Sequence, residues 1–193
     1  MSGPDQPNPP SPAETETRIL RAIGPYTVER KLGQGGMGTV FEAYDPRLRR
    51  KVALKVLSAG GGNPEDVARF LREAEHTAKL RHPNCIQIHE MGRANGCDYF
   101  TMDLIEGVTL DKWAAEKKRT PREIASLIEK AARALHHAHE NGIIHRDIKP
   151  SNVMLDKQGE PIVMDFGLAR SVHTSTQLTL SGVILGTPTY MPP

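Results

Sequence analysis

Residues 33–38 read Gly-Gln-Gly-Gly-Met-Gly, and both flanks are β-type: Tyr26 to Leu32 alternates before them and Thr39 to Tyr44 follows. The meaning of such a Gly-x-Gly-x-x-Gly run depends on what surrounds it. In a dinucleotide-binding sheet it turns a strand into a helix. Here strand residues come next, so the glycines close a hairpin between two antiparallel strands. A hairpin tip without side chains lets backbone N–H groups close over phosphates. Gly33, Gln34, Gly35, Gly36, Met37 and Gly38, with Thr39 and Val40 behind them, are therefore a candidate phosphate cover.

The strand series continues through Lys51 to Leu57, after a turn at Asp45-Pro46. Asn63-Pro64 starts a helix with Val67, Phe70, Leu71, Ala74 and Ala78 on one face, ending before His82-Pro83. Two more strands are expected near Ile86 to Met91 and Asp98 to Asp103. The character then changes at Glu106-Gly107. Thr109 can cap a short helix through Trp113, and Thr120-Pro121-Arg122-Glu123 is a capping box. Behind that box, Ile124, Leu127, Ile128, Ala131, Leu135 and Ala138 form a helical stripe closed by Asn141-Gly142. A loop holding His145, Arg146 and Asp147 precedes short strands near Val153 to Leu155 and Ile162 to Met164. The order predicts an α+β chain: a strand-rich module with one helix, then a helical module.

Composition narrows the function classes. A net charge of +2 without a clustered basic face argues against nucleic acid as a partner. No apolar run approaches a membrane span, and no signal-peptide pattern opens the chain, so the expected location is cytoplasmic. Cys85 and Cys97 stand at no metal-ligand spacing.

Val52-Ala53-Leu54-Lys55 puts a lysine inside an apolar strand, where an ammonium needs an anionic partner. Phosphates can supply one, and so can a carboxylate of the following helix, Glu73 or Glu75. Glu73 is preferred, because the face bearing Phe70 and Ala74 turns inward. The strongest cluster is His145-Arg146-Asp147-Ile148-Lys149-Pro150-Ser151-Asn152, with Asp165-Phe166-Gly167 beyond it. Asp147 can orient an attacking hydroxyl and accept its proton. Asn152 and Asp165 are oxygen ligands suited to Mg²⁺, and Lys149 can neutralise charge on a transferring phosphoryl group. His136, His137 and His139 do not match a zinc spacing and read as surface or packing residues, while Trp113 and the Leu/Ile stripe read as core.

These motifs, in this order, resemble a eukaryotic-type (Hanks-type) Ser/Thr protein kinase of the bacterial kind, over residues 26–193. The resemblance implies a two-lobe, protein-kinase-like α+β fold. A disordered Pro-rich tail (1–20) would lead into an antiparallel five-stranded N-lobe with one helix (21–105) and an incomplete helical C-lobe (106–193). It implies ATP and Mg²⁺ as cofactors and a protein substrate with a Ser/Thr acceptor, with autophosphorylation or self-association also expected. Lys55 would hold the α/β-phosphates and pair with Glu73, Asp147 would be the catalytic base, and Lys149 would contact the γ-phosphate. Asn152 and Asp165 would be the metal ligands, and Thr187 would stand beside the base. Leu32, Val40, Ala53 and Met154 would sandwich the adenine, Met102 would be the gatekeeper, and Asp103 to Ile105 would offer hinge backbone groups. Arg146 implies an activation loop running from Leu168 to about Tyr190 and ordered by a phosphate, with Thr179 and Ser181 as acceptors.

Leu54 and Ile148 replace near-isosteric family residues. Met191-Pro192-Pro193 stands where the family carries Ala-Pro-Glu, and the remainder of the large lobe is expected to be missing. On that expectation the 121–140 helix exposes apolar surface and the polypeptide alone is weak or inactive. The alternative is a non-catalytic nucleotide-binding or interaction fragment. A small-molecule kinase is disfavoured by Asp-Phe-Gly together with Gly-Thr-Pro-Thr-Tyr, which resembles a peptide-substrate loop.

Overall fold

The computed structural model of the chain describes residues 22–35, 38–57 and 64–166, without the side chains of 64–66, 69, 70 and 73. The Pro-rich tail and the expected activation loop lie outside the described residues. Strands β1 (Ala22–Ile23), β2 (Tyr26–Gly35), β3 (Gly38–Asp45), β4 (Arg50–Leu57), β5 (Ile88–Ala94) and β6 (Cys97–Met102) build one antiparallel sheet in the order β1-β2-β3-β4-β6-β5. The expected five-stranded series is β2 to β6. The two-residue β1 joins its edge and is too short to show a period. Gly24, at φ +57°, turns β1 back, and a Cβ there would stand 2.8 Å from the Tyr99 hydroxyl oxygen.

Register assigns the two faces of this sheet. Lys55 lies opposite Val40 on one side and Phe100 on the other, and Ala53 lies opposite Met102. Directly opposed residues share a face, as do alternate residues of one strand. Val40, Ala53, Lys55, Phe100 and Met102 thus line one face. Phe41, Ala43, Val52, Leu54 and Tyr99 form the core of the other, with Ile23 and Tyr26. The Lys55 face joins a larger core that takes in Ala74 of α1 (Pro64–Thr77) together with Leu80, Cys85, Ile86, Val163 and Phe166.

The second module holds α2 (Leu110–Glu116), α3 (Pro121–Glu140) and a small sheet of β7 (Val108–Thr109), β8 (Val153–Leu155) and β9 (Pro161–Val163). Strand β7 is not visible in the sequence pattern. Gly107 lets it lie beside β8, because a Cβ there would fall 1.8 Å from the Leu155 carbonyl oxygen. Thr109 does take the N-cap position of α2, though its side chain makes no capping bond. The capping box of α3 forms: Glu123 N–H donates to Thr120 Oγ1 at 3.3 Å, and Thr120 N–H to Glu123 Oε2 at 2.8 Å.

The 121–140 helix exposes apolar surface as expected, but the expectation that Trp113 and the whole Leu/Ile stripe are core needs correction. Of the α3 stripe only Ala131 and Ala138 are buried, with Ala134 between them, while Leu127 and Leu135 are half-buried and Ile124 is 46% and Ile128 53% exposed. The helix leans on β9 by its alanines, and among the described residues nothing covers the two isoleucines. Trp113 is half-buried; the Arg119 guanidinium carbon lies 3.9 Å from its ring centroid, a cation–π contact that replaces core packing.

The segment 84–86 clips the two modules together. Ile86 N–H donates to Val163 O at 2.9 Å, Val163 N–H to Asn84 O at 2.8 Å, and the buried Asn84 amide to Pro161 O at 2.8 Å. Cys85, at the centre of this clip, is buried, and burial pushes its thiol pKa up to about 11. Because the thiolate is the reactive form, Cys85 should resist alkylation. Titration with a disulfide reagent is expected to count one fast thiol, Cys97, in the folded protein and both in denaturant. Two fast thiols under native conditions would contradict the clip.

Candidate active site

The glycine hairpin forms as expected, with Gly35 paired to Gly38. Its two tip residues, Gly36 and Met37, lie outside the described residues. Gly38 is demanded by the fold itself: at φ +150°, a Cβ would meet Val56 O at 2.1 Å. Gly33 and Gly35 are different, since a Cβ on either would meet nothing within 4 Å. Packing among the described residues does not require glycine at either position, which leaves that strand end bare. The register shift between Lys31 and Gly33 makes Leu32 a bulge residue at the same end.

Below the hairpin, Lys55 Nζ donates to Asp165 Oδ1 at 2.6 Å and stands 5.9 Å from the Phe100 ring centroid. Its side chain is 9% exposed, so the carboxylate satisfies an ammonium that would otherwise be stranded. The expected partner Glu73 lies on α1, but its side chain is outside the described residues. Ala53 and Met102 are buried beside Lys55, while Val40 and Ile105 pack against the same core and Met154 is half-buried on β8. Asp103 follows β6, and its N–H donates to Gln87 O at 3.0 Å, so this N–H is not offered to a ligand.

The 145–152 loop is a bonded knot. Asn152 Nδ2 donates to the Asp147 carbonyl at 2.8 Å and to Asp147 Oδ2 at 3.2 Å, and Lys149 Nζ lies 2.8 Å from that same Oδ2. Met164 N–H donates to Asn152 O at 2.9 Å, which sets Asn152 next to Asp165. With its NH₂ engaged, Asn152 has an amide oxygen that no other described residue bonds, as a ligand to a cation needs. One amide oxygen and one carboxylate are too few for an all-protein cage. They suit a hard divalent cation that completes its shell with phosphate oxygens and water, and the pair fits Mg²⁺ in that role. Arg146 at φ +65° and Asp165 at φ +54° both sit in the left-handed region, which concentrates backbone strain where these side chains converge.

His145, without an assigned role in the sequence reading, bolts the loop down. It is 2% exposed, its Nδ1 accepts from Asp147 N–H at 3.3 Å, and its Nε2 lies 2.7 Å from Met164 O. An imidazole that accepts at Nδ1 must donate at Nε2, which is the neutral tautomer. Its ring packs on Phe166 with centroids 5.0 Å apart. Burial holds its pKa below the ordinary value, against the opposing pull of Met164 O and the two carboxylates. The folded state thus binds this proton less readily than the unfolded chain. Its stability is complete above the ordinary histidine range and is lost as pH falls below about 6.5. The urea midpoint is expected to drop between about pH 7 and pH 5, and by less in His145→Gln. Identical pH profiles for the two proteins would remove His145 as the cause.

Thr179, Ser181 and Thr187 lie outside the described residues. No helix among the described residues is long and apolar enough to cross a membrane.

Comparisons with known proteins agree with this geometry. The protein kinase domain model matches residues 26–193. The Ser/Thr-protein kinase PrkC of Bacillus subtilis is 38% identical over 175 residues, covering 90% of this chain and 27% of the relative. A DNA damage-responsive Ser/Thr-protein kinase of Deinococcus radiodurans, RqkA, is 42% identical over 176 residues, covering 88% of this chain and 26% of the relative. The chain thus spans about a quarter of the length of these curated relatives. Among solved structures, the Mycobacterium tuberculosis PknI kinase domain superposes with a TM-score of 0.68 at 34% identity, covering 77% of this chain and 62% of that one. With its glycine hairpin, its buried lysine–aspartate pair and its His-Arg-Asp loop, this chain belongs to the protein kinase domain family.

Proposed function

We propose that the chain carries the nucleotide site and catalytic loop of a Ser/Thr protein kinase, which transfers the ATP γ-phosphate to protein Ser/Thr hydroxyls. The observation that carries this reading is the convergence of two bonded groups: Lys55 on Asp165, and Asn152 and Lys149 on Asp147, with the Met164 N–H to Asn152 O bond setting the second beside the first. In this reading the bare strand end at Gly33 and Gly35 covers the phosphates and Lys55 holds them. Val40, Ala53 and Met154 face the adenine with Leu32, and Met102 closes the back of that slot. The Asp103 to Ile105 backbone meets the adenine edge. Asp147 orients the acceptor hydroxyl and takes its proton, while Lys149 offsets charge on the transferring group. Bound Mg²⁺, held by Asn152 and Asp165, would neutralise phosphate charge. Thr179 and Ser181 are proposed acceptors in a regulatory loop, with Arg146 as the partner of the phosphate.

The test is incubation with Mg²⁺ and labelled ATP, followed by acid hydrolysis of the labelled protein. Label on phosphoserine and phosphothreonine is expected. Nucleotide bound with no label transferred would select a non-catalytic nucleotide-binding fragment instead.

A further inference from the structure

The ladder between β5 and β6 contains one irregularity. Ile88 pairs with Met102 and Glu90 with Thr101, so His89 is an extra residue on β5. A bulge of this kind re-aims a side chain. His89 Nε2 is buried and lies 2.9 Å from Asp103 Oδ1, an ion-pair distance, and it makes no aligned hydrogen bond among the described residues. Asp103 is the first residue beyond β6, and its own side chain is 44% exposed. Left to itself, a residue in that position would be free to rotate. Instead β5 and the residue before it anchor Asp103 twice: Gln87 O accepts its N–H at 3.0 Å, and His89 meets its carboxylate. Two anchors on one residue fix the point where the hinge backbone begins.

We propose that His89 is a positioning residue of the nucleotide site: aimed by the bulge at Asp103, it braces the hinge backbone for the adenine edge and makes nucleotide affinity pH-dependent. The inference rests on the reading that Asp103 to Ile105 face the adenine. A backbone group held in place before binding loses less freedom when the ligand arrives, so a brace raises affinity without touching the ligand. The charged groups facing His89 are Asp103 after β6, Arg50 at the start of β4 and Arg81 after α1. Burial lowers its pKa, the two arginines push the same way, and Asp103 opposes them. The imidazole is therefore neutral at neutral pH and gains its charge only below the ordinary histidine range. Once charged it grips Asp103 harder, because a charge-assisted contact is roughly twice as strong as a neutral one.

The experiment measures binding of a fluorescent ADP with Mg²⁺ to the wild-type chain and to His89→Leu and His89→Gln, from about pH 8 to about pH 5.5. His89→Leu is expected to weaken binding about fivefold, the effect of one lost polar contact. His89→Gln keeps a neutral donor and should fall between the two near pH 8. The ratio of wild-type to His89→Gln affinity should then grow as pH falls, a readout that a purely structural role would not move. Combining His89→Leu with Asp103→Asn should weaken binding no further than either change alone. A ratio flat across the pH range overturns the brace, as does a folded His89→Leu that binds like the wild type. If His89→Leu fails to fold, the pH ratio from His89→Gln decides. A wild type that binds no nucleotide overturns the site reading beneath the proposal, an outcome distinct from normal binding with a flat ratio.

Discussion

Asp147→Asn is expected to reduce phosphate incorporation by about 10²- to 10⁴-fold, the usual effect of losing a positioned general base. The substitution keeps the size and shape of the side chain. An asparagine oxygen can still accept from Asn152, and the bond from Asn152 to the residue-147 carbonyl does not involve the side chain. What disappears is the negative charge that takes a proton and that Lys149 pairs with at 2.8 Å. The lost contact is charge-assisted and mostly buried, so stability should fall by about 1.5–3 kcal/mol, and affinity for a fluorescent ADP should stay close to that of the wild type. Intact mass after incubation with Mg-ATP reads the first quantity; urea unfolding and a binding titration read the others. Incorporation within tenfold of the wild type would remove Asp147 from the role of base. Loss of the fold would show instead that its charge is structural.

Phe100→Ala should be among the most damaging single changes to the fold. The side chain is fully buried on β6, opposite Lys55, on the face that joins the sheet to α1 and to β9. Deleting a ring from such a site removes its burial and leaves a cavity, at a cost of about 3–5 kcal/mol. Against a total of about 5–15 kcal/mol for a domain, that removes much of the margin. The ring also lies under the Lys55 ammonium, so the surviving folded fraction should hold nucleotide less firmly. The matched control is Ile124→Ala, at an apolar position 46% exposed, where a change within about 0.5 kcal/mol is expected. Equal urea midpoints for the two variants would contradict the burial pattern.

Much of this was legible in the residue string, for identifiable reasons. Glycines with strand residues on both sides require a hairpin, and the hairpin is there. The capping box at Thr120 to Glu123 is a local hydrogen-bonding pattern, so its helix starts at Pro121 as expected. The His145 to Asn152 loop carries its chemistry in consecutive residues, and chain connectivity alone brings Asp147, Lys149 and Asn152 together.

Other features depend on partners far along the chain. That Lys55 pairs with Asp165, 110 residues away, follows from packing β9 against the sheet. The α3 stripe is uniform in sequence, yet only its alanine end meets β9, so Ile124 and Ile128 remain outside. Strand β1 turns back at Gly24 because a long-range neighbour, Tyr99, leaves no room there for a side chain, and β7 forms because Gly107 lets the chain lie against Leu155. The role of His145 as a bolt needs Met164 and Phe166 beside it, and the aim of His89 needs one unmatched residue in a strand pair. Residue type and spacing along the chain therefore determined the elements, the local loops and the set of reactive groups. Their partners, burial and aim were decided only by the tertiary structure, because those are properties of contacts that no periodicity or neighbouring residue encodes.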